Sequence, residues 1–193
     1  MQRYSVLAVV ALLSMASVSH AGDIAAQTMD KPTSGDVSAI FNEARFGTLV
    51  SIDDENGVFA TGVVFFDPWG HSQAAGFDKF WRPRLHLGAA ISTSGDTNQV
   101  FAGFSWTADV TERLFVEIGL GATVHDGNID DIDSDESASL GCRALFHEYA
   151  AIGYDITNSW SVIAQLEHAS HANLCDGPNN GLSRAGLLVS YHF

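Results

Sequence analysis

Two runs near the C-terminus constrain this chain more than anything else in it. Trp160, Val162, Ala164 and Leu166 alternate with Ser161, Gln165 and Glu167, and Ala185, Leu187, Val189, Tyr191 and Phe193 again fall at every second position. A period of two belongs to an extended strand, whose successive side chains point to opposite faces. Each run therefore has one greasy face, which must be covered by a protein core or by lipid. Only Ile163 breaks the polar alternation of the first run.

The same extended patterning recurs along the chain, separated by turn clusters, and no segment has the period of a long helix. Eight strands are expected, at about 41–53, 57–67, 82–92, 97–109, 112–124, 140–156, 160–172 and 181–193. After the N-terminus no stretch reaches 18 consecutive apolar residues, so this chain can cross a bilayer only as a closed barrel. Roughly 9–11 residues suffice for a tilted spanning strand, and bacterial single-chain barrels use even numbers of strands. The expected fold is all-β, an eight-stranded antiparallel outer-membrane β-barrel that ends on an aromatic residue, Phe193. A soluble barrel would bury these faces instead, and periodicity alone does not separate the two. With both termini on one side, residues 54–56, 93–96, 125–139 and 173–180 form the outer loops. Residues 68–81, 110–111 and 157–159 form the basal turns, the first of them longer than such turns usually are.

Arg3, the apolar run Val6 to Leu13 and Ser19-His20-Ala21 read as a secretory signal over residues 1–21, followed by a small, polar leader over 22–40 and a single barrel domain over 41–193. Without Arg3 the chain carries eight basic residues against 23 acidic ones, a net charge of −15. That balance excludes a nucleic-acid partner, because phosphate binding needs clustered Lys and Arg. The acidic run from Asp126 to Glu136 is expected to be a solvated loop rather than a cation site. No metal or cofactor is implied.

His168 and Ser170 lie two residues apart on one strand face, the geometry that sets a base beside a nucleophile. A serine hydroxyl is a weak nucleophile until an imidazole takes its proton, and a carboxylate ordinarily orients that imidazole. The segment from Leu140-Gly141-Cys142-Arg143 through Phe146-His147-Glu148, His168-Ala169-Ser170 and Pro178-Asn179-Asn180-Gly181-Leu182 to Phe193 resembles the PagL-type lipid A 3-O-deacylases. The upstream Arg82-Pro83-Arg84, Gly95-Asp96-Thr97 and His125-Asp126-Gly127 fit the same outline. The resemblance implies an outer-membrane barrel acting on lipid A of lipopolysaccharide, with Ser170 as nucleophile and His168 as general base.

Two positions depart from the family pattern. His171 stands where the family has an Asn after the serine, and Ser183 stands where its acidic partner falls. A register pairing Ile156 with Trp160 across a tight turn sets Glu148 opposite His168 and Phe146 opposite Ser170, which makes Glu148 the candidate replacement acid. The same register brings Cys142 within reach of Cys175, and a disulfide between them suits an exported protein. Backbone N–H groups after Ser170, helped by Asn173, are the candidate oxyanion donors. Arg143 and His147 are expected to face the barrel interior. A non-catalytic structural or adhesion barrel is the alternative reading.

Overall fold

A computed structural model describes residues 41–53, 55–130 and 138–193. The signal and leader segments, and Asp131, Asp133, Asp135 and Glu136 of the acidic loop, lie outside the described residues. Eight antiparallel strands close into one barrel in simple sequence order: β1 (Phe41–Ser51), β2 (Val58–Phe66), β3 (Arg84–Ser92), β4 (Gln99–Asp109), β5 (Leu114–His125), β6 (Ala144–Asp155), β7 (Trp160–Ser170) and β8 (Leu182–His192). Closure pairs β1 with β8, Glu43 opposite His192 through Ser51 opposite Arg184. The closed sheet has no free edge, so every strand finds its backbone partners within the barrel.

The alternation read from the sequence points its apolar set outward. Phe46 and Val50 on β1, Leu87 and Ile91 on β3, Ile118 and Leu120 on β5, and Val162 and Leu166 on β7 are each about half exposed. A water-soluble fold would not leave such a continuous apolar girdle open, whereas a bilayer covers it. At the basal end Phe41, Phe193, Tyr191 and Trp160 form a chain of ring contacts with centroids 4.6–5.0 Å apart. Aromatic residues of this kind collect at the membrane–water interface.

The inside is lined by layers of side chains, with a cavity of about 590 Å³ at the basal mouth among Asn42, Glu43, Arg45, His71, Arg84 and Asp155. One layer is apolar: Leu49, Phe59, Val63, Phe65, Phe101, Ile163 and Leu188 are buried together. Ile163 thus breaks the polar alternation because it belongs to this layer. Below it, Arg45 and Arg84 sit between Glu43 and Glu117. Arg45 reaches Glu117 with both terminal nitrogens, at 2.7 and 3.0 Å, and Tyr149 and Thr107 each donate to the same carboxylate at 2.7 Å. Both guanidinium groups also lie over the Phe65 ring, 4.1 and 4.6 Å from its centroid. Nearer the outer rim, Glu167 accepts from Gln99 and Gln165 at 2.9 and 3.0 Å and lies 3.7 Å from His147.

The long basal connection is ordered as two short 3-10 turns, His71–Gln73 and Gly76–Trp81. His71 is buried in it, its Nδ1–H donating to Arg82 O at 2.8 Å while Thr107 N–H donates to its Nε2 at 3.1 Å. Trp106, on the outer face of β4, donates its indole N–H to Phe80 O at 2.9 Å. The extra length is thus used to clamp the segment against the barrel wall.

Two expectations are corrected. The sixth strand starts at Ala144, not near 140, because residues 138–142 fold over the rim, where Ala138 and Leu140 pack with Leu145, Ala169 and Leu182. Arg143 consequently escapes the strand alternation: it is exposed and donates to Gly127 O at 2.5 Å instead of facing the interior. His147, inside the strand, is buried as expected.

Candidate active site

His168 and Ser170 occupy the last turn of the alternation on β7, both half-buried and both on the outward face that carries Val162, Ala164 and Leu166 lower down. Two residues of strand rise separate them by about 6.6 Å along the chain. Because β7 runs from the basal turn to the outer rim, the pair stands above the apolar girdle, at the end of the barrel opposite the start of β1 and the end of β8.

The neighbouring strands are in the register that the short turn demands. Ile156 N–H donates to Trp160 O at 2.9 Å, and Glu148 lies opposite His168 and Phe146 opposite Ser170. On the other side of β7, Ser183 of β8 lies opposite His168. The ring uses that side: His168 Nδ1 and Ser183 Oγ are 2.9 Å apart. Glu148 is exposed, shares the outward face, and makes no hydrogen bond to His168 among the described residues. A β-carbon at Gly181, whose φ is +78°, would lie 2.8 Å from His168 Cε1. Glycine at 181 therefore serves two needs, a left-handed backbone and room for the imidazole.

Past Ser170 the chain reverses at once. Ala172 and Asn173 have φ of 49° and 60°, and Leu174 N–H donates to His171 O at 2.9 Å, a tight turn of the primed type. Asn173 is exposed at its corner. His171 points the other way from Ser170 and is buried; its Nε2–H donates to Pro178 O at 3.0 Å while Cys175 N–H donates to its Nδ1 at 3.4 Å. His171 N–H donates to Asn179 Oδ1 at 3.3 Å. Cys142 and Cys175 are joined in a disulfide with Cα atoms 6.3 Å apart, which ties the rim segment before β6 to the loop after β7. A β-carbon at Gly141 would meet Pro178 O and the His171 ring, so the two segments approach closely there.

Sequence reasoning missed two partners. Ser183 stands out in the sequence only as a missing acid, yet it is the residue that holds the imidazole. Asp53, in the connection after β1, accepts the backbone N–H of Ser183. The only signal for it was its place just beyond a strand that closure brings next to β8.

Residues 57–192 match the PagL family of lipid A 3-O-deacylases. The crystal structure of the outer membrane enzyme PagL superposes with a TM-score of 0.59 at 16% identity, covering 78% of this chain and 98% of that one. A structure from the de novo design of transmembrane β-barrels gives a TM-score of 0.49 at 12% identity, over 79% of this chain and 95% of that one. No curated protein matches the sequence. The family match runs from the start of β2 nearly to the end of β8, over a closed eight-stranded barrel with a lipid-facing girdle, and this chain belongs to the PagL family of outer-membrane lipid A deacylases.

Proposed function

We propose that this protein hydrolyses the ester at the 3-position of lipid A, with Ser170 as nucleophile and His168 as general base. The observation that carries this reading is the orientation of His168: with Nδ1 committed to Ser183, the other ring nitrogen is left for the hydroxyl of Ser170 on the same face. The Ser170 proton passes to His168 Nε2 as the oxygen attacks the ester carbonyl, and is then returned to the departing 3-oxygen. A water repeats the cycle on the acyl-enzyme.

The face explains how so large a substrate arrives. Ser170 lies beside Phe146, which is 51% exposed, and the loop beyond carries Leu174, 75% exposed. An acyl chain of a lipid in the outer leaflet can lie along this apolar surface and present its ester at the rim without leaving the membrane. Glu148, across from His168 on the same face, is the acid we assign to the site; with no hydrogen bond to the ring, its contribution is the charge it sets beside the developing imidazolium. Donors for the oxyanion come from the turn after Ser170, with Asn173 at its corner, since His171 N–H is taken by Asn179.

The test is mass spectrometry of lipid A from cells expressing the mature chain, beside Ser170→Ala and Glu148→Gln. Loss of the 3-linked acyl chain with the wild-type protein, abolished by Ser170→Ala and reduced by Glu148→Gln, supports the assignment. A folded wild-type barrel that leaves lipid A intact refutes it and favours a structural barrel. Activity unchanged in Glu148→Gln removes Glu148 alone.

A further inference from the structure

The long connection from β2 to β3 holds its largest apolar side chains outward. In its second 3-10 turn, Gly76–Trp81, Phe77 is 74% exposed, Trp81 70%, and Phe80 about half. Residues three apart eclipse one another in such a turn. Accordingly the Phe77 and Phe80 rings stack with centroids 5.8 Å apart, and Trp81 meets both edge-on at 6.1 and 5.1 Å. These rings do not hang below the barrel. Phe80 lies 6.2 Å from Trp106, and Trp69, earlier in the same connection, lies 6.3 Å from Phe104. Phe104 and Trp106 point outward from β4, opposite Leu120 and Ile118 of the apolar girdle. The segment therefore folds back against the outer wall and continues the girdle sideways.

We propose that this segment is a foot that docks on phospholipid in the leaflet at the basal end, with Phe77, Phe80 and Trp81 among the acyl chains and Arg82 on a lipid phosphate. Continuity with the girdle decides the occupant, because a surface that prolongs a lipid-facing wall meets the same lipid. Tryptophan beside a cation is also what membrane interfaces collect. Asp78 and Arg82 are exposed next to the rings, and Arg82 makes no ion pair among the described residues. A zwitterionic headgroup offers an ammonium to the carboxylate and a phosphate to the guanidinium. The foot is held in this pose from behind: Trp106 donates its indole N–H to Phe80 O, and Lys79 Nζ lies 3.1 Å from Asp109. Its fixed aromatic face thus needs no rearrangement to enter the leaflet. Short turns mark the periplasmic end of bacterial barrels, so the one long connection at that end is an anchor in the inner leaflet. Nothing in this surface depends on the reaction at Ser170.

Fluorescence quenching in a bilayer tests this directly. The mature barrel carrying Phe77→Cys is labelled with a thiol-reactive fluorophore and inserted into vesicles of phosphatidylethanolamine and phosphatidylglycerol; Cys142 and Cys175 are already joined and do not compete for the label. The same label on Asn158→Cys, exposed in the short basal turn after β6, is the reference for water at that end. Two quenchers are compared, acrylamide in the aqueous phase and phospholipid spin-labelled near its headgroup. Expected at Phe77→Cys are acrylamide quenching severalfold weaker than at the reference and strong quenching by the spin-labelled lipid. Adding Trp81→Ser and Arg82→Gln, both at exposed positions, should move both readings toward those of the reference while the barrel still migrates as folded. Acrylamide quenching equal to the reference, with none from the lipid, overturns the proposal by leaving the foot in water. Shielding from both quenchers also overturns it, since protein then covers the rings; a shielding that grows with the protein-to-lipid ratio would name a second copy of the chain.

Discussion

Glu117 offers the most quantitative test of how the barrel is held together. Its carboxylate accepts five hydrogen bonds: two from Arg45, one each from Arg84, Thr107 and Tyr149. The Arg45, Glu43 and Glu117 side chains are at most 1% exposed and Arg84 7%, and two guanidinium groups balance two carboxylates. Glu117→Gln keeps the volume but leaves one uncompensated positive charge in the lumen. Removing one partner of a buried pair costs about 3–5 kcal/mol. At the middle of that range the folded-to-unfolded ratio falls by roughly a thousandfold. The measurement is urea unfolding in phospholipid vesicles, followed by tryptophan fluorescence and by the heat-dependent shift in gel migration. A second variant isolates the charge: Arg84→Met with Glu117→Gln restores neutrality and should be more stable than Glu117→Gln alone, despite losing more hydrogen bonds. A loss below about 1 kcal/mol in the single variant, or a double variant less stable than the single, would show that the lumen is wet enough to screen these charges.

Three further outcomes follow from particular contacts. A β-carbon at Gly119 would lie 1.9 Å from the Tyr149 ring that covers it across the β5–β6 pair, so Gly119→Ala should destabilise the barrel by about 1–3 kcal/mol, read from the same unfolding curve. Replacing Cys142 and Cys175 together by serine removes the tie beside Ser170; deacylation should fall while the barrel still migrates as folded, and unaltered activity would show that the loop after β7 is held by its own turn and His171. At the base, burial alone would raise Asp67, but the Ser72 and His71 hydrogen bonds hold its carboxyl below the usual value of 3.8. Because the folded value is the lower one, this contribution is present above the unfolded value and is lost as pH falls through the folded one. Pepsin nicking near Phe77 and Phe80 should therefore begin at higher pH in Asp67→Asn than in wild type, and equal onset would remove Asp67 as the clamp.

The strands were legible because lipid leaves its mark on every second residue. Where a turn was short, register followed too: Ile156 and Trp160 could pair in one way only, and Glu148, Phe146, His168 and Ser170 fell into place from that pairing. What stayed hidden depends on closure rather than on local pattern. Glu43, Arg45, Arg84 and Glu117 come from three strands and meet only inside the finished cylinder. Asp53 and Ser183 are 130 positions apart and touch because β8 returns to β1. The rim failed differently. At Gly141 the backbone turns left-handed and the alternation stops, so parity counted back from His147 assigned Arg143 to the wrong side.

The apolar layer inside the barrel has a consequence for the cell. Phe59, Phe65 and Ile163 are buried together across the middle of the lumen, and this plug stands between the outer rim and the cavity at the basal mouth that Glu43, Arg45 and Arg84 line. A cell could therefore carry this protein in quantity without becoming leaky to antibiotics or dyes, and planar bilayers containing the purified barrel should show no unitary conductance.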